Sequence, residues 1–223
     1  MTIYQRAEEK ISKNEKAGVY PPGLIEQYRI HLERLKTGSP GYELIFCLPF
    51  MSTPNPPEPG KKYFSILAGP NHAFSRGSMH STSADPNVQP ALDPRYFKEA
   101  FTTVPLPPSI SSGGLAEMMK LIRRMPEVSP CKYILVSPAK EVNPGPEIQT
   151  DEQLHDWIKN VINTTYHTIG TLSMLPCSKN SVVDPGLKVY GATNVRVVDL
   201  SIVPIHFAAR SQSLEKVFPI RND

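Results

Sequence analysis

The chain has 223 residues, 39% of them hydrophobic and 20% charged, which places it with folded globular proteins and excludes a disordered, solvating tail. A net charge of +3 comes from scattered basic residues whose only compact pairs are Lys61-Lys62 and Arg123-Arg124, so the concentrated stripe of a nucleic-acid surface is missing. Twenty-four prolines, about twice the usual share of roughly 5%, cluster in PPG, STPNPPEPG, VPLPPS and NPGPE, and they predict structured loops rather than long helices.

In chain order, residues 2–16 read as an exposed, charged helix ended by Gly18 and Pro21-Pro22. They contain no hydrophobic leader, and no run of 18 apolar residues occurs anywhere, so no membrane span is expected. Leu24, Ile25, Tyr28, Leu32 and Leu35 then repeat at helical spacing up to Gly38 and Pro40. YELIFCLPF, YFSILAG and RGSMHSTS read as three strands, with a proline-rich loop over 53–60.

Leu115, Met118, Met119 and Ile122 share a face and predict a helix that Pro126 closes. The clearest helix start is Thr150-Asp151-Glu152-Gln153, where a threonine cap and a glutamine three residues on can satisfy each other's backbone N–H. The helix after it carries Leu154, Trp157, Ile158, Val161 and Ile162 on one stripe and delivers the chain to His167. Finally LKVYG and NVRVVD read as a strand pair joined by Gly191-Ala192-Thr193-Asn194.

Cys47, Cys131 and Cys177 are too far apart for a zinc motif, and their odd number argues against a disulfide framework; all three read as small buried apolar residues. Among six histidines no HxxxH or HxH pair occurs, so no metal site is expected. His31, His72, His80 and His155 have structural readings, and His206 reads as a core histidine. His167 stands apart, because it follows a buried helix and precedes Gly170, which implies a tight turn or a close backbone approach.

Three motifs in order resemble the C-terminal part of the glucose–methanol–choline (GMC) oxidoreductase family. RGSMHSTSADPNVQPALDPRYF is similar to the opening motif, YHTIGTLSM to the catalytic-histidine turn, and VVDPGLKVYGATNVRVVDLSIVP to the strand pair with an acidic end. PNPPEPGKK and NPGPEIQTDEQ resemble the fungal aryl-alcohol-oxidase-like branch. The resemblance implies an α+β fold: an antiparallel-sheet substrate lobe with helices, plus an incomplete returning portion of a Rossmann-like FAD-binding domain. Residues 1–75 would be a partial substrate-lobe segment, 76–160 the substrate-binding part of the C-terminal module, and 161–223 its return to the FAD-binding domain.

By the same resemblance the chemistry is FAD-dependent oxidation of CH–OH groups in a small alcohol, with hydride leaving to flavin N5 and the proton to His167. Tyr166 falls where the family places a pocket-lining aromatic. Asp199 and Leu200 match flavin-contacting positions, and Ser211 and Gln212 the start of a helix facing the flavin. Arg210 stands at a second catalytic position where His or Asn is expected, and a guanidinium cannot act as a base. No GxGxxG turn occurs in the sequence, so the expectation is a C-terminal portion, inactive without an N-terminal FAD-binding half. The alternative is a non-catalytic remnant that binds a ligand or partner without flavin.

Overall fold

A computed structural model describes residues 3–97, 112–124, 140–208 and 211. The chain opens with α1 (Ile3–Lys16) and α2 (Leu24–Lys36), which run antiparallel: Tyr4 Oη donates to the Leu35 carbonyl, Lys36 pairs with Glu8, and Arg29 pairs with Glu15. Both helices stop at a left-handed glycine. Gly18 and Val19 donate back to Glu15 and Asn14, and Gly38 and Ser39 to Leu35 and Arg34, so otherwise orphaned last-turn carbonyls are satisfied.

The sequence predicts α1 as an exposed helix, but Ala7 and Ile11 are buried against Tyr28, Leu32, Leu35 and Phe74. Two apolar residues four apart suffice to seat a charged helix on its neighbour. Tyr28 is the hub of this core, with Tyr20 edge-on at 5.3 Å, Phe74 at 5.2 Å and the Arg76 guanidinium 5.4 Å from its centroid.

Two small antiparallel ribbons follow. β1 (Tyr42–Cys47) pairs with β2 (Ser65–Pro70), and β3 (Ser78–His80) pairs with β4 (Ala91–Asp93). The three predicted strands are present, shortened, and β4 lies where the sequence predicts no strand. Next, α3 (Ser112–Arg124) packs on α4 (Asp151–Val161), with Ala116, Leu154 and Ile158 buried between them and Tyr42 and Ala68 of the first ribbon beneath. The predicted capping box forms: Thr150 Oγ1 accepts from Gln153 N at 3.2 Å, and Gln153 Oε1 accepts from Thr150 N at 3.0 Å. Arg123 grips Glu141 with two nitrogens and donates to the carbonyls of Gly145 and Ile148, which fixes the loop entering α4.

Beyond α4 the predicted strand pair does not form a ladder. Lys188–Arg196 bridges its two segments as an isolated pair, and Val189 also bridges Val183, which lies before them, with turns at Asp184–Leu187 and Gly191 interrupting the pairing. Side chains replace the ladder. Asp184 Oδ1 accepts from Gly186 N and Lys188 N, while Ser181 Oγ accepts from Leu175 N and faces the Ser173 and Val183 carbonyls. Val183, Leu187, Leu200, Ile202 and Val203 form the core under these turns. Among the described residues no helix is long and apolar enough to cross a membrane.

Candidate active site

His167 is placed by a short turn hung from the end of α4. Asn163 Oδ1 accepts from Thr164 N at 2.8 Å and Thr164 Oγ1 accepts from Tyr166 N at 3.0 Å, so side chains substitute for the helix's next turn. Tyr166 adopts φ +62°, a left-handed conformation costly for an aromatic residue, and the residue is 83% exposed. Gly170 answers the sequence expectation directly. It has φ +80°, and a Cβ there would lie 3.2 Å from the Val203 carbonyl, so the histidine turn presses on the segment after Asp199. The half-buried His167 ring has no hydrogen-bond partner among the described residues.

His167 faces a trough of about 2050 Å³ that is also lined by Tyr166, His206, Ser211 and the first ribbon. That volume exceeds the roughly 300–1,000 Å³ typical of a closed small-molecule pocket, so this is an open wall rather than a sealed chamber. The trough brings together Tyr166, His167 and Ser211 from the predicted set. It does not include Asp199 or Leu200. Arg210 and Gln212 lie outside the described residues, as does Cys131.

Asp199 is exposed, and its Oδ1 accepts from Ser201 N at 2.7 Å, capping the short 3-10 turn Leu200–Ile202. One carboxylate oxygen is thereby used structurally and the other stays open. Leu200 turns its side chain into the core. Ser211 is buried, and its hydroxyl has no partner among the described residues. Cys177 is exposed and Cys47 half-buried, which corrects the expectation of buried thiols: the first sits on a 3-10 turn and the second at a ribbon end.

Sequence reading missed a second group. His31 and His72 are both fully enclosed, with ring centroids 5.4 Å apart. Arg76 Nη2 lies 3.2 Å from His31 Nε2 and can only donate, so His31 carries its proton on Nδ1. Burial, then the charges of Arg76, His72, Arg34 and His206, pull His31 down to about 3. Burial and then Arg34 and His206 lower His72 as well. Among the described residues no acidic group acts on either ring. The sequence signal was present: His31 lies on the apolar face of α2, one residue before Leu32.

The fold is that of the C-terminal part of a GMC oxidoreductase, and residues 73–214 match the GMC oxidoreductase family model. The chain belongs to the GMC oxidoreductase family. It is 40% identical over 150 residues to the GMC oxidoreductase family protein Mala s 12 of Malassezia sympodialis, covering 67% of this chain and 22% of that protein. It is 35% identical over 144 residues to choline oxidase of Arthrobacter globiformis, covering 64% of this chain and 24% of the oxidase. The chain thus spans less than a quarter of the length of these two curated relatives. A fungal aryl-alcohol oxidase shares the fold over 97% of this chain and 34% of its own, with TM-score 0.72 and 23% identity. So does an FAD-dependent oxidoreductase from Chaetomium thermophilum, over 96% and 34%, with TM-score 0.66 and 17% identity.

Proposed function

We propose that this chain supplies the alcohol-facing wall and the proton acceptor of an FAD-dependent oxidoreductase acting on CH–OH groups. The observation that carries the reading is the His167 imidazole, held on a braced turn at an open trough with neither ring nitrogen engaged among the described residues. A free imidazole nitrogen takes the proton of a hydroxyl, and a positioned base of this kind contributes about 10²–10⁴-fold. Tyr166 offers an exposed aromatic face beside it, in keeping with a small primary alcohol as substrate.

The residues present fit FAD. The open oxygen of Asp199 can accept ribityl hydroxyls, Leu200 brings a backbone N–H beside it, and the buried Ser211 hydroxyl, without a partner among the described residues, would need only a small local shift to donate. These residues and Gln212 would hold the flavin, with Arg210 adding a positive charge at the second site. Bound FAD would supply the hydride acceptor. Residues 1–160 would line the substrate side, and 161–223 would rejoin a flavin-binding domain contributed by further polypeptide, since no glycine-rich dinucleotide turn lies within this sequence.

The test combines the chain with a flavin-binding half of a GMC oxidoreductase, adds FAD, and follows flavin absorbance after benzyl alcohol. Bleaching is expected, and His167→Gln should retain the flavin while losing about 10²–10⁴-fold in kcat/KM. A yellow complex that no alcohol bleaches, or equal rates with His167→Gln, overturns the assignment. A complex that stays colourless supports the alternative, a ligand-binding lobe without flavin.

A further inference from the structure

The trough contains a second imidazole whose chemistry is already set. His206 lines the same trough as His167, half-buried, six residues beyond Leu200. Its Nδ1 sits 2.7 Å from the Phe207 carbonyl, and a carbonyl can only accept, so in the neutral ring Nδ1 holds the proton and Nε2 is a bare lone pair. The backbone at this point is also anchored: Arg34 Nη1 donates to the His206 carbonyl at 3.1 Å, reaching across 172 residues of sequence from α2. His31 and His72 are near enough to feel the charge of His206. Their unpaired nitrogens, like Asn71 Nδ2 and Ser211 Oγ, are shut off from solvent, whereas His206 Nε2 is not among these sealed atoms and has no partner among the described residues.

A bare ring nitrogen is selective. It accepts from an O–H or N–H and gains nothing from an ether or carbonyl oxygen. We propose that His206 is a specificity-determining acceptor in the trough that reads a second hydroxyl on the substrate, so that the preferred ligands are alcohols carrying a further O–H donor. Arg34 is its positioning residue, acting through the His206 carbonyl. His167 takes the reacting hydroxyl's proton, and His206 only receives a hydrogen bond.

This inference rests on the reading of the trough as an alcohol site, and the experiment separates the two. The chain is titrated by NMR with benzyl alcohol, with the isomeric hydroxybenzyl alcohols, and with the matching methoxybenzyl alcohols, which keep shape and lose the donor. At least one hydroxybenzyl isomer is expected to bind about three- to tenfold tighter than its methoxy partner, the worth of one hydrogen bond, and to move the His206 Nε2 nitrogen resonance. His206→Phe should equalise the pair. His206→Gln, whose carbonyl still accepts, should restore part of the preference. Arg34→Met keeps the imidazole and should shrink the preference while binding of benzyl alcohol itself persists. If benzyl alcohol binds and every hydroxy–methoxy pair is equal in the unmodified chain, the inference is wrong and the alcohol site stands. If benzyl alcohol leaves His167 unmoved, the alcohol site fails and takes this inference with it.

Discussion

The N-terminal helix pair and the C-terminal turns solve the same problem, ordering about forty residues, by opposite means. In the first, two capped helices bury Tyr28, Leu32, Leu35 and Phe74 around one aromatic hub. In the second, from Ile169 to Val203, regular hydrogen-bonded structure is nearly absent, and hydroxyls and carboxylates of Ser173, Ser181, Asp184 and Asp199 bind the backbone one turn at a time. The two histidines facing the trough sit on or next to that second kind of scaffold. Side-chain-braced turns can aim a group at a point that no helix or strand period would reach.

The largest effect that would break the contrast lies in the aromatic hub. Phe74→Ala removes a ring touching Tyr28 and His31 and is expected to cost about 3–5 kcal/mol, measured by urea denaturation of the chain. A loss below about 1 kcal/mol would show that the helix pair does not depend on that hub.

Acid comes next. His31 is held neutral in the folded state at about 3, against an ordinary value of 6.5, so the unfolded chain binds the extra proton between those pH values. Its contribution is complete above pH 6.5 and is lost as pH falls toward 3, with a slope approaching about 1.4 kcal/mol per pH unit. Unfolding curves collected from neutral pH downward should show this slope, and His31→Gln should flatten it. An unchanged slope in the variant would mean that another group governs acid sensitivity.

The smallest effect belongs to the turns. Ser181→Ala strands the Leu175 N–H and should cost about 1–3 kcal/mol. Hydrogen exchange should rise between residues 173 and 190 and stay unchanged in α1 and α2. Uniform exchange across both regions would dissolve the distinction between them.

How much of this the sequence showed follows the same division. Helical spacing located α2 and α4, the Thr150–Gln153 box forms as read, and Gly170 marks a real close approach. Periodicity failed where the structure is not periodic. LKVYG and NVRVVD have strand composition, yet Gly186 and Gly191 admit turns that side chains complete, and a pattern of alternate residues carries no record of a bond from Asp184 to Gly186. His31 and His206 were passed over for another reason. The His31 tautomer is set by Arg76, 45 residues on, and the His206 backbone is anchored by Arg34, 172 residues back, and neither contact exists before folding.

One glycine ties the two regions and limits what may be recombined. Gly23, just ahead of α2, has φ +86°, and a Cβ there would stand 2.6 Å from the Lys179 carbonyl and 3.0 Å from its Cβ, while Lys179 and Glu26 form an ion pair at the same seam. Chimeras that exchange the first forty residues among relatives would therefore fail at this seam unless the donor also brings a glycine. A saturation library at position 23 should return almost nothing but the parental codon.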